Sequence, residues 1–369
     1  MSPRTHLHAL RRLLHAEWRQ HATLQATRRR WPMPLAAALA SGLPLLAGVA
    51  LGNVGAGLAG SLGGLVFLYL PETPMHHRMV TLMACGFALT ACYTLGLGVQ
   101  ASGLAAMRVP LLALVALLVT MVARYYRLAP PGPLFFVMAA AIGAYTPMAA
   151  TLLTAQLGAL FLGVLLATLI AFAYSLAMLA RWPASPVPER RPASFDFVVV
   201  DAVVIAAAVG ISLLLAELLR LPRPYWVPVS CLAVVQGVSL RGVWNRQLQR
   251  VAGTAVGLLV AFALLSSPLD PWRIAGAVMA LTVLVEWLVV RHYGLAVVFI
   301  TPLTILLAEA ATLDRHVAVG ALVRARFTDT VLGCLVGLLA GVWLHSPKLR
   351  GWVARPLRAL VPRRLRPER

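Results

Sequence analysis

Long apolar runs separated by short polar stretches set the pattern of this chain. Six lie near 32–51, 54–70, 79–98, 104–123, 133–150 and 153–180, and six more near 197–219, 224–239, 250–266, 273–290, 293–309 and 326–345. Most approach the roughly 20 residues a helix needs to cross the hydrocarbon core of a bilayer. A membrane β-barrel would alternate apolar and polar positions over segments of about ten residues, and these runs do not alternate. The pattern predicts an all-α polytopic helical membrane protein of about twelve transmembrane helices in two six-helix halves.

The polar stretches supply the organisation. Residues 181–195, RWPASPVPERRPASF, form a Pro- and Arg-rich linker between a first transmembrane half, 32–180, and a second, 196–345. Residues 1–31 are basic, with Leu7, Leu10, Leu14 and Trp18 on one helical face, which predicts an amphipathic segment on the cytoplasmic membrane surface. A disordered basic tail is the plainer alternative. After His345 the tail 346–369 holds Lys348 and seven arginines, with no acidic residue before Glu368.

Composition agrees with a membrane chain and adds a sidedness. It is 60% hydrophobic and 12% charged, too apolar for a soluble domain of this length. The net charge of +20 would suggest nucleic acid in a soluble protein. Here the basic residues gather at the ends and in short loops, so they read as topology signals on the cytoplasmic side of an inner membrane. Their expected partners are the lipid bilayer and anionic lipid headgroups, with no nucleic acid. Both termini, the linker, the Arg124–Arg127 turn and a basic loop over Arg241–Arg250 are expected there. Arg220, Arg223, Arg273, Arg315, Arg324 and Arg326 fall on the other face and dilute the bias. No apolar core with a cleavage site opens the chain, so no cleaved signal peptide is expected.

Several motifs reduce to packing. Cys85, Cys92, Cys231 and Cys334 all lie in apolar runs and read as small packing residues. The Gly55–Gly60 stretch GAGLAG matches a dinucleotide fingerprint only in letters, since it lies in a membrane helix rather than after a strand. His6, His8, His15 and His21 lack a supporting ligand pattern, and His76–His77 lies in a short loop without a ligand set. No metal, cofactor or catalytic constellation is expected, and the chain does not read as an enzyme.

The chemistry gathers in the second half. An octet, Arg250-x-x-Gly253-Thr254-x-x-Gly257, nearly recurs as Arg326-x-x-Asp329-Thr330-x-x-Gly333, and both are expected to open a helix. Tyr225 and Tyr293 begin helices with the same three-helix separation. Three crossings reverse direction, so the second half reads as inverted three-helix repeats, with the octets expected at opposite membrane faces. The first half carries a faded copy, in which Arg78 is expected to match Arg250 and Gln156 to match Arg326.

At these residues the chain resembles the fusaric acid resistance (FUSC-type) family, which includes aromatic carboxylic acid exporters. The matching features are Tyr225-Trp226, the basic loop, the Arg250 octet, His292-Tyr293-x-Leu295-Ala296 with Thr301-Pro302, and the Arg326 octet. They cover roughly residues 197–345, and the first half resembles the family only through hydropathy and spacing. The resemblance implies an inner-membrane protein that exports organic acids, and a more distant plant relation comprises malate-conducting anion channels. Many bacterial members carry a sizeable soluble domain between their halves, where this chain has only the short linker.

Arg250 and Arg326 are the candidates to pair with a small organic anion, bidentately and with charge assistance. Snorkelling to the interface is the alternative for both. Gly253, Thr254, Asp329 and Thr330 complete the candidate site, the glycines serving equally for helix packing. Tyr225, Trp226 and Gln236 are candidate substrate contacts that also suit an interface. Glu286, deep in its apolar run, is the candidate proton-coupling acid, because an ionisable group in the membrane is costly to keep without a use or a partner. The expected function is efflux of aromatic or other organic carboxylates with proton coupling. The alternatives are a passive organic-anion channel and a non-transporting membrane scaffold. A homo-oligomer is compatible with the sequence.

Overall fold

The computed structural model describes residues 30–146, 150–188, 193–237, 239–266, 270–309 and 319–360. The expected amphipathic segment 1–31 therefore lies almost wholly outside the described residues, as does the end of the basic tail.

The first half holds α1 (Pro32–Ala50), α2 (Val54–Gly64), α3 (Met75–Ser102), α4 (Arg108–Tyr125), α5 (Leu134–Tyr145) and α6 (Leu153–Leu179). The second holds α7 (Asp201–Leu218), α8 (Trp226–Val235), α9 (Leu240–Leu265), α10 (Pro271–Leu288), α11 (Tyr293–Glu309) and α12 (Val319–His345), and α13 (Pro347–Leu360) follows. Among the described residues eight helices are long and apolar enough to cross a membrane, and four shorter apolar helices lie between them. The all-α, multi-pass reading is borne out. Phe87, Leu169, Leu259 and Leu339 point outward from the bundle, as expected of side chains that meet lipid rather than water.

Two elements differ from the sequence expectation. The basic stretch Arg241–Arg250 is not a loop but the first turns of α9. Ser239 caps it, its side chain accepting from the Gly242 N–H at 3.1 Å, and polar residues extend a helix beyond the hydrocarbon as readily as apolar ones. The tail after His345 begins with the amphipathic helix α13. It is tied to the start of α7 where Arg350 pairs with Asp201 at 2.8 Å and Arg358 with Asp196.

Close helix contact is built on glycine. In α2 and α6, a Cβ on Gly63 would lie 2.2 Å from the Leu160 carbonyl, and one on Gly163 2.0 Å from that of Gly60. Gly60 and its neighbours are thus packing residues, and the four cysteines are free, buried thiols among apolar side chains.

The pairing of helices repeats between the halves. The pairs α2–α6 and α3–α5 of the first half are matched by α8–α12 and α9–α11 of the second. Across the halves α1 packs on α10, and α4 packs on α7 in the same relation. The two halves are therefore related by a pseudo-two-fold rotation.

One end of the bundle is basic. There the Arg30 guanidinium lies over the Trp182 ring, the Ser185 N–H bonds the Glu72 carbonyl, Arg124 pairs with Asp201 at 2.5 Å, and His345 contacts the Gly237 carbonyl. The described parts of the linker, the Arg124 turn, the start of α9 and α13 thus share one end, as expected from the charge pattern.

Candidate functional site

The second half brings its two octets together by crossing α9 against α12. A Cβ on Gly341 would meet the Val243 side chain, while Leu258 and Ala261 of α9 cluster with Leu322, so the two helices run antiparallel. Eleven residues on from Val243 and eleven residues back from Gly341 stand Thr254 and Thr330, at one height on the crossing. Arg250 and Arg326 lie on either side of that height, about one helical turn from it. Both arginines are buried, 6% and 5% exposed.

Each octet packs on a helix of the other unit, α11, which starts with Tyr293, or α8, which follows Tyr225. On α9, a Cβ at Gly253 would stand 2.7 Å from the Gly294 carbonyl and one at Gly257 2.6 Å from the Val298 carbonyl, both on α11. On α12, the corresponding contacts of Gly333 and Gly337 are the Val227 carbonyl at 2.3 Å and the Cys231 carbonyl at 2.7 Å, both on α8. This exchange between α7–α8–α9 and α10–α11–α12 is the inverted pairing expected from the spacing, but it brings the octets to one level inside the bundle rather than to opposite membrane faces. The glycines serve packing.

The octets do not open their helices. Arg250 is the eleventh residue of α9 and Arg326 the eighth of α12. The free N–H groups of a helix start extend over only its first turn, so neither arginine is joined by a helix N-terminus. Arg250 instead donates to Ser230 Oγ at 3.4 Å and Tyr293 Oη at 3.5 Å. The Nη2 of Arg326 donates to Thr304 Oγ1 at 3.1 Å, and its guanidinium lies 3.7 Å from the centroid of the Trp226 ring. Each arginine thus bridges α8 and α11, one from each end of the crossing. Ser230, Thr304 and Tyr293 belong to this site. Their signal in the sequence is a hydroxyl inside an apolar run, a weak one because such groups also bond their own helix.

The other candidates divide. Tyr225 and Trp226 are buried rather than interfacial. Tyr225 packs at a tilt against Trp226 and against Tyr145 of α5, and Tyr145 in turn holds Glu217 and the Arg108 guanidinium. A line of rings and cations therefore joins the halves at the end opposite the basic one. Gln236 caps the far end of α8 beside Gly132, away from Trp226. Glu286 is buried on α10, whose Leu281 and Val285 pack with Leu45 of α1 and Leu303 and Leu306 of α11. Asp329 is 0% exposed and one turn after Arg326.

Packing also revises the match to the first half. A Cβ on Gly86 would meet the Val164 side chain, and Val164 stands as far beyond Gln156 as Cys334 does beyond Arg326. In the antiparallel register that sets Thr254 level with Thr330, Cys334, four residues beyond Thr330, is level with Arg250, four residues before Thr254. Gly86, not Arg78, therefore occupies the place of Arg250. Arg78 is two turns earlier, donating to the Thr73 carbonyl at 2.6 Å and Ser175 Oγ at 3.2 Å. Gln156 does hold the place of Arg326, bonding the Gly55 carbonyl and Tyr93 Oη.

Comparison with known proteins places this half. Residues 207–340 match the family described as fusaric acid resistance protein-like. The uncharacterized membrane protein YvaC of Bacillus subtilis (strain 168) is 34% identical over 167 residues, 42% of this chain and 26% of that protein. The uncharacterized protein YhfK of Escherichia coli (strain K12) is 28% identical over 141 residues, 38% of this chain and 19% of that protein. The aligned stretch thus spans about a quarter or less of these curated relatives. No solved structure matches the chain. The resemblance read from the octets is borne out over the part of the bundle that carries them: residues 207–340 of this multi-pass membrane protein are similar to the fusaric acid resistance protein-like family.

Proposed function

We propose that this chain is a transporter of the bacterial inner membrane that exports organic carboxylate anions, aromatic ones among them, and that it is not an enzyme. The observation that supports this reading is the pair of buried arginines flanking the Thr254–Thr330 crossing. Ionisable groups kept inside an apolar bundle are costly and mark ligand pathways, and a planar guanidinium suits a carboxylate. Trp226 and Tyr225 beside Arg326 offer apolar faces to an aromatic ring. Arg250 and Arg326 bind the carboxylate in turn as it passes from the basic end toward the Tyr145–Tyr225 end, with the basic end facing the cytoplasm.

The test is counterflow of labelled benzoate in proteoliposomes of the purified full chain. A transporter accumulates label transiently against unlabelled benzoate, whereas a passive channel equilibrates without exchange kinetics. Absence of any benzoate flux above protein-free vesicles, for benzoate and for aliphatic dicarboxylates alike, removes the transport reading and leaves a scaffold.

A further inference from the structure

We propose that Asp329 is the proton-binding group of the transport site, its protonation deciding whether the Arg326 guanidinium turns to Asp329 or to a substrate carboxylate. This inference rests on the transport reading above and assigns the proton to α12 rather than to Glu286 of α10.

Asp329 follows Arg326 by three residues, so both side chains lie on the face of α12 that packs on α8. It is fully buried, and neither carboxylate oxygen accepts a hydrogen bond from any described residue. An ionised carboxylate in such a place is strongly disfavoured, whereas the neutral acid is tolerated. The charged groups that act on it are Arg326 and, from the turn ahead of α8, Arg223. Tyr225 is the titratable residue at the start of α8. On α9, Arg250 lies beyond the crossing. On α7, Glu217 accepts from Tyr145.

The Arg326 guanidinium sits over Trp226 with Nη2 on Thr304, not in a fork with Asp329. An ionised Asp329 would draw it into that fork, since a bidentate arginine–carboxylate pair is the strongest contact open to either group. Substrate and Asp329 thus compete for one guanidinium. Protonation of an Asp329 oxygen ends the competition and deprotonation restores it, so proton binding and anion binding favour each other at this site.

The two octets differ at this position. Its counterpart is Gly253, where a Cβ would stand 2.7 Å from the Gly294 carbonyl, so no acid fits there. Packing alone asks for a small residue at Asp329 as well.

The test uses the full chain in lipid nanodiscs with benzoate as the probe. In the wild type, benzoate affinity is expected to fall about tenfold or more from mildly acidic to mildly alkaline buffer, the weight of one charge-assisted contact. In Asp329→Asn it stays near the acidic value throughout. Infrared difference spectra should show a protonated-acid carbonyl band in the wild type that Asp329→Asn removes; if that variant does not insert, Asp329→Glu shifts the band instead. The proposal is overturned if Asp329→Asn keeps the wild-type pH dependence, if Glu286→Gln alone removes it, or if no such band belongs to Asp329. Failure of wild-type benzoate binding at every pH counts against the transport reading, and the infrared band still decides the protonation of Asp329.

Discussion

Thr254 and Thr330, each the fifth residue of its octet, stand at one height where α9 and α12 pass each other. Because the helices are antiparallel, whatever follows one threonine toward a given end precedes the other. The arginines are thereby held on opposite sides of a shared level, a relation that makes their roles separable by mutation.

Arg250→Ala is expected to abolish or strongly weaken benzoate transport while the protein still inserts, and Arg250→Lys to restore it only in part. Lysine returns the charge but not the planar fork that reaches Ser230 and Tyr293. The loss should be about 1.5 to 3 kcal/mol in affinity. Efflux per inserted molecule is the measurement, and full activity in the alanine variant would sink the anion-site reading.

Trp226→Ala is expected to weaken the site through Arg326, whose guanidinium lies on the indole face. A cation–π contact of this kind contributes about 0.5 to 2 kcal/mol. Trp226→Phe should retain most of the affinity, as a smaller ring still offers a face. Benzoate titrations of the two variants compare them directly; equal losses would mean that ring volume, not the cation contact, matters.

Arg78→Gln should behave unlike Arg250→Ala. Arg78 bonds the Thr73 carbonyl and Ser175 within the first half, so its loss should lower thermal stability by about 1 to 3 kcal/mol. Transport per folded molecule should be unchanged. A selective loss of transport would return Arg78 to the site from which the packing removes it.

Gly333→Ala is expected to destabilise the bundle by about 1 to 3 kcal/mol, because the added methyl meets the Val227 carbonyl at 2.3 Å. Gly276→Ala, where nothing lies within 4 Å of the new methyl, should be neutral or slightly stabilising. Melting curves in detergent distinguish them, and similar melting points would remove glycine contact as the basis of α8–α12 packing.

Single cysteines placed at Arg124 and Arg355 should be labelled from the cytoplasm, and one at Arg273 from the other side. The motive is the shared basic end that gathers Arg30, Arg124, Asp201 and α13. Membrane-impermeant maleimide on intact and opened cells reads this out. Labelling of Arg124Cys and Arg273Cys from the same side would contradict the assignment.

Hydropathy alone was enough to locate the helices, and α11 spans the expected 293–309. It failed where polarity was mistaken for irregular chain. The arginines at the start of α9 continue a capped helix, and those of α13 line one side of an amphipathic one. That error moved Arg250 from the interior of its helix to a helix mouth and attached to it a helix-terminus field it does not feel. The site itself was legible as two octets because repetition survives in sequence. What it touches was not, because Ser230, Thr304 and Trp226 reach the arginines only through the α9–α11 and α8–α12 exchange. The mistaken equivalence of Arg78 has the same origin, since a slip of two turns leaves the spacing nearly intact and only interhelical contact detects it.

The reciprocal packing of α1 on α10 and of α4 on α7 gives the chain the surface of a fused homodimer. An isologous interface presents the same patch twice, so a residue that improves it in one copy improves it in the other. A single six-helix ancestor with this patch would already associate with itself. Joined in one chain, the two patches no longer have to be identical, and either half can change without the other. In this chain the second half carries Arg250 and Arg326, while the first, with Gly86 and Gln156 in their places, packs against it.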